Sequence, residues 1–181
     1  MHNRENVTMQ ERTKFTAGEA GEAIGVDANT LRQWRTRKYC LLGSQGERGY
    51  WLYREVDVHY IAVARALNRL GFSMDEAVEL VTNHSVVNDS IHRAMMIDDS
   101  DERLICVLGS GRHGEWYGQI VTAKDAESAG AQGDRWAAFD ALEAMGGGQA
   151  EFFTEASWEI SVTRIVRRVR TTLDRIAERA S

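Results

Sequence analysis

Thr30-Leu31-Arg32-Gln33-Trp34-Arg35 is the stretch on which the reading of this 181-residue chain turns. Leu31 and Trp34 stand three apart, so on a helix they share a core-facing side, while Arg32, Gln33 and Arg35 fall elsewhere on its surface. Asp27 suits the N-cap of that helix, which is expected to run to about Lys38. Just upstream, Thr16 can cap a shorter helix with Glu19 placed to reach back, and Ala20, Ala23 and Ile24 give that helix an apolar side. Gly25 then lets the chain leave through positive φ. Two short helices joined by a tight glycine turn predict a helix-turn-helix.

Downstream, Leu41-Leu42 leads into Gly43-Ser44-Gln45-Gly46-Glu47-Arg48-Gly49, a turn-rich loop, and then into Tyr50-Trp51-Leu52-Tyr53, which has strand composition. This reads as a wing. A third helix is expected from about Glu55 to Leu70, with Val58, Ile61, Ala62, Ala66 and Leu67 at helical spacing, broken by Gly71-Phe72-Ser73. Ser73 with Glu76 forms another capping box for a fourth helix whose Ala77, Leu80 and Val81 face inward. Arginine and glutamine can read major-groove base edges, and arginine or lysine can bind phosphate. A solvated basic face is the alternative for an isolated helix; the surrounding helices and wing favour groove recognition.

In order and spacing, residues 15 to 81 resemble the winged helix-turn-helix of the MerR family of bacterial transcription regulators. The matching elements are Phe15-Thr16, Gly18-Glu19-Ala20, Gly25-Val26, Thr30-Leu31-Arg32-Gln33-Trp34, Leu41-Leu42, Gly49-Tyr50, Tyr53, Asp57-Val58 and Leu70-Gly71-Phe72-Ser73. The resemblance implies that Thr30, Arg32 and Gln33 contact bases or backbone, Arg37 and Lys38 phosphates, and Arg48, Tyr50 and Tyr53 the backbone beside the wing. Thr16 and Arg35 complete the expected DNA-binding set. Three positions depart from the family pattern. Trp51 stands where a basic residue is common, Arg35 where an acidic one is common, and Arg54 where a capping serine or threonine is common.

The net charge of -5 is unevenly distributed. Residues 13 to 71 carry +3, residues 72 to 160 carry -12 and residues 161 to 181 carry +4. A basic head on an acidic body confines the electrostatic footprint to one face. No apolar run approaches the roughly 20 residues of a membrane span, and the first residues lack the apolar core of a signal peptide. The expected location is the cytoplasm, associated with the nucleoid. Cys40 and Cys106 stand apart and read as core thiols, not as a disulfide framework or metal site. The five histidines show no metal-ligand spacing, and no set of residues makes a catalytic triad. No cofactor, metal site or enzymatic activity is therefore expected.

Beyond the head, a long dimerisation helix directly after the fourth helix, usual in MerR-type proteins, is not apparent. His84 to Ile97 reads as a short helix with Val87, Ile91, Ala94 and Met95 on one side. Leu104 to Leu108 and Glu115 to Ala123 read as strands. Between them, Gly109-Ser110-Gly111-Arg112-His113-Gly114 spells G-x-G-x-x-G, but Trp116 to Val121 beyond it is strand-like, which favours a hairpin turn over a dinucleotide site. Ala126 to Met145 reads as a helix and Glu151 to Thr154 as a third strand. The aromatic residues here are mainly core material, with a ligand pocket among Trp116, Trp136, Phe139, Phe152 and Trp158 as the alternative. A last helix, 157 to 180, carries Val162, Ile165, Val166, Val169, Leu173 and Ile176 as an apolar stripe flanked by arginines. That stripe either covers its own body or pairs with a second chain; pairing is the favoured reading, because two-fold symmetry doubles a small contact set.

The fold class is thus mainly α with a small β component. A tail over 1 to 14, expected to be disordered, precedes a MerR-like winged helix-turn-helix over 15 to 83. A small α+β effector or dimerisation module over 84 to 181 ends in the long amphipathic helix. The expected function is sequence-specific regulation of transcription by a homodimer on double-stranded DNA, with RNA polymerase as a further partner, no membrane, and a small-molecule effector left open. The alternative is an architectural or excisionase-like DNA-binding protein without an effector. A third class, an enzyme or ligand-binding domain with an appended head, would need converging polar groups that the aromatic cluster does not supply.

Overall fold

A computed structural model describes residues 14–46, 49–97, 104–110, 116–122 and 156–180. Among these the chain is mainly helical, with six helices and two small sheets. In order they are β1 (Phe15–Thr16), α1 (Ala17–Ile24), α2 (Ala28–Thr36), β2 (Ser44–Gln45), β3 (Trp51–Tyr53) and α3 (Glu55–Arg69). There follow α4 (Met74–Asn83), α5 (Ser85–Met96), β4 (Leu104–Ser110), β5 (Trp116–Thr122), β6 (Ala156–Ser161) and α6 (Val162–Ala180).

Each head helix starts where its capping residue directs. Thr16 accepts from the Glu19 backbone N–H at 3.4 Å while Glu19 accepts from the Thr16 N–H at 2.7 Å, so two orphan donors of α1 are satisfied reciprocally. Ser73 and Glu76 repeat the exchange at α4, with Glu76 accepting from the Ser73 N–H at 2.9 Å. At α3 the unusual Arg54 is accommodated by Asp57. This carboxylate accepts from the Arg54 N–H at 2.8 Å and also takes its guanidinium at 3.1 and 2.9 Å. The acid therefore anchors a helix start that lacks a capping hydroxyl. Gly71, at φ +109, turns the chain out of α3.

The turn between α1 and α2 needs a second glycine that the sequence pattern did not single out. A Cβ on Gly21 would lie 2.6 Å from the Val26 carbonyl oxygen, because the α1–α2 turn folds back onto that side of α1. Gly21→Ala is expected to destabilise the protein by about 1–3 kcal/mol through overpacking, despite the ~1 kcal/mol that alanine gains over glycine within a helix. Denaturant unfolding checks this, and an unchanged or raised midpoint would refute the close approach.

One apolar core runs through the head and into the C-terminal helix. Ile24, Leu31, Val58, Ile61, Leu67 and Val81 share it with Val87 and Ile91 of α5 and with Val162, Val166 and Val169 of α6, all 2 % exposed or less. Helix α6 packs against α1, α3 and α5 of its own chain. At the edges of that contact, Arg179 meets Glu22 of α1 at 2.5 Å and the Arg170 guanidinium donates to the Met95 carbonyl at the end of α5. The stripe assigned to a second chain is thus occupied within one chain. Val162, Val166, Val169, Leu173 and Ile176 are buried and Ile165 is partly buried, so these side chains are not free to form a dimer seam.

The second sheet has the order β5-β4-β6, antiparallel throughout. Ser110 pairs with Trp116, which closes β4 and β5 into a hairpin where the glycine motif stood. No strand-to-helix turn for a dinucleotide follows β4, since β5 runs back antiparallel beside it. Residues 157–161, expected as the first turn of the last helix, instead belong to β6, where Trp158 pairs with Leu108 and Ile160 with Cys106. The alternation Ser157-Trp158-Glu159-Ile160-Ser161 has period two, which suits a paired strand better than a helix. The expected helix over 126–145, the expected strand over 151–154 and the N-terminal tail up to residue 13 lie outside the described residues. Among the described residues, no helix is long and apolar enough to cross a membrane.

Candidate nucleic-acid interface

Helix α2 is held by one side and presents the other. Leu31 is 2 % exposed and Trp34 is half-buried against the core, whereas Asn29, Arg32, Gln33, Thr36 and Arg37 line a shallow open groove of about 300 Å³. These five recur at the spacing that puts residues on one helical face. Asn29 was missed in the sequence, although its position three before Arg32 and four before Gln33 is the signal that finds it. It accepts a hydrogen bond from the Arg32 guanidinium at 3.1 Å, which steadies both side chains on the exposed face. An amide beside a guanidinium suits the base edges of adenine and guanine respectively.

The N-terminal end of α2 is fixed by Asp27. Its carboxylate accepts from the Thr30 N–H at 2.9 Å and the Thr30 hydroxyl at 2.8 Å, and these bonds hold the Asp27 carboxyl below its usual range. Thr30 is therefore engaged through its side chain in the cap, and its half-buried position limits it to a contact beside the groove face. Thr16 is exposed, but its hydroxyl is occupied in the cap of α1.

The end of α2 carries a local strain. Lys38 adopts φ +60, the left-handed position where glycine is usual. Its N–H bonds the Arg35 carbonyl at 2.9 Å, and the Tyr39 N–H bonds the Trp34 carbonyl at 2.8 Å, which is the Schellman pattern. A side chain in this conformation costs about 1–2 kcal/mol. Lys38→Gly should consequently raise stability by roughly 0.5–1 kcal/mol after glycine's own entropic cost. Thermal unfolding measures it; a lower Tm would contradict the strain argument.

The first sheet forms the wing, in the order β1-β3-β2, with Phe15 opposite Tyr53 and Gln45 opposite Trp51. Tyr50 at its rim is 70 % exposed and can meet a partner. Tyr53 cannot. It is 2 % exposed, and burial foremost pushes its phenol up to about 12, so the expected backbone contact at this residue is replaced by a core position. The reason is register: Tyr53 pairs with the buried Phe15, on the core side of the wing. Trp51 donates its indole N–H to the Leu42 carbonyl at 2.9 Å, and the Arg35 guanidinium lies 4.8 Å from its ring centroid. Two residues that depart from the family pattern separately are therefore one contact. Arg37 and Lys38 are exposed at the end of α2, and Arg48 lies outside the described residues.

Elsewhere, two of the five proposed pocket residues lie on described strands. Trp116 and Trp158 fall on β5 and β6, on opposite sides of the central β4, and Trp136, Phe139 and Phe152 lie outside the described residues. Cys40 is a buried core thiol, with burial raising its pKa.

A short helix packed under an exposed polar recognition helix, followed by a small wing and two supporting helices, defines the class as a winged helix-turn-helix head. Residues 15–83 match the family model described as MerR HTH family regulatory protein, so this head is of the MerR type, the DNA-binding unit of a family of transcription regulators. A search of curated proteins finds no match for the chain.

Proposed function

We propose that the protein is a sequence-specific DNA-binding regulator of transcription that reads the major groove with α2. The observation that carries the proposal is the exposed face of Asn29, Arg32, Gln33, Thr36 and Arg37 on a helix anchored from behind by Leu31. In this reading Asn29, Arg32 and Gln33 specify bases, while Arg37, Lys38 and the rim of the wing at Tyr50 set position on the backbone. The sequence concentrates its acidic charge in residues 72–160, outside the head, which leaves the head net basic for phosphate. Because the α6 stripe is occupied within the chain, a homodimer would form through another surface.

Selection of bound sequences from random duplex DNA tests the proposal. Recovery of a defined site supports it, and a palindromic site would add that two copies act together. Binding with no enriched sequence would instead indicate an architectural DNA-binding protein.

A further inference from the structure

We infer that Arg35 and Trp51 act as one phosphate-binding unit at the junction of the recognition helix and the wing, with the indole as the positioning residue and the guanidinium as the DNA contact. The inference rests on the DNA-binding reading above and deepens it. Trp51 is fixed before any ligand arrives. Its N–H bonds the Leu42 carbonyl at 2.9 Å, and its ring closes over Gly43, where a Cβ would lie 2.5 Å from the indole nitrogen. Against the face of this held ring lies the Arg35 guanidinium, 4.8 Å from the centroid.

A guanidinium held over an aromatic face keeps the N–H donors directed away from the ring available. Among the described residues Arg35 has no carboxylate partner within ion-pairing distance. Half-buried and already oriented, it needs less ordering to form a fork than a free surface arginine does. Its position also selects the ligand. Arg35 lies off the face of Asn29, Arg32, Gln33 and Thr36 and against β3, so it reaches the side of the groove and not the base edges. A phosphodiester of the DNA backbone, with one negative charge shared by two non-bridging oxygens that match the fork, is the chemistry that fits.

A double-substitution cycle on the full chain tests this, with affinity for the selected duplex measured across a range of salt concentrations. Arg35→Ala and Trp51→Leu should each weaken binding about tenfold and lower the magnitude of the salt slope by about 1, the loss of one phosphate contact. The double variant should bind no worse than Arg35→Ala, and Trp51→Phe, which keeps a ring face but loses the bond to Leu42, should fall between the parent and Trp51→Leu. Equal weakening by Trp51→Leu with and without Arg35, or an unchanged salt slope, would overturn the inference. Binding by Trp51→Phe no better than by Trp51→Leu would also overturn it, by showing that the ring face carries none of the effect. Should Trp51→Leu not fold, Arg35→Lys decides, because parental binding by a cation that lacks the guanidinium fork would refute the unit. If the unaltered chain selects no duplex, the DNA-binding reading itself fails; if it binds and the cycle is additive, only this inference does.

Discussion

Replacing Arg32 with alanine is expected to abolish discrimination at one base position of the selected site and to weaken specific binding by about 1–3 kcal/mol, roughly 5- to 150-fold. Geometry gives the reason. Arg32 is exposed on the groove face of α2 and donates to the neighbouring Asn29, a bond that steadies it without neutralising it. Its removal leaves the anchor Leu31 and the Asp27 cap untouched, so the fold should persist and the thermal midpoint should barely move. Non-specific binding to unrelated duplex should fall much less, since phosphate contacts elsewhere remain. Competition binding with the selected site and a scrambled site separates the two. Equal loss on both would make Arg32 a phosphate contact, and no loss on either would remove α2 from the interface.

A charge placed in the α6 stripe should have the largest effect of any single substitution. Val169 is fully buried, and Val169→Asp would bury an unpaired carboxylate in the core that α6 shares with α1, α3 and α5. Such a change is expected to cost more than about 4 kcal/mol, a large part of a typical domain's roughly 5–15 kcal/mol, and so to unfold much of the population. Leu173→Ala, which removes apolar volume without adding charge, should cost about 2–5 kcal/mol and shift the denaturation midpoint. Circular dichroism with denaturant, followed by sedimentation, checks both. A stripe that served as a dimer seam would behave differently: Val169→Asp would yield a folded monomer from a dimer. The same packing means that a head cut after Val81 loses part of its core, so weakened DNA binding by that truncation would report lost stability and could not demonstrate pairing.

The elements whose signals are local were legible in the sequence. The capping boxes at Thr16 and Ser73, the Asp27 cap and the left-handed Gly25 are set by residues within a few positions of one another, and the structure has them as expected. The hairpin replacing the glycine-rich motif was legible for the same reason, because strand composition continued on its far side. Gly21 was less visible, since its constraint comes from a carbonyl five residues on that only the folded turn brings close. Tyr53 was misassigned for a related reason. Its motif position fixed its place in the wing, but the pairing with Phe15 decided which face it took.

Consecutive letters were enough to specify the helix-turn-helix head, the polar face of α2 and the need of the last helix to cover an apolar stripe. Only the assembled chain shows what covers that stripe, where β6 ends and α6 begins, and that Arg35 and Trp51 meet. The difference lies in the range of the interaction. Helix caps and helical periodicity are satisfied within a few residues, so they are written in neighbouring positions. Apolar burial is non-directional and indifferent to the identity of its partner, so an amphipathic pattern states that a face must be buried while the folded chain chooses the surface that buries it.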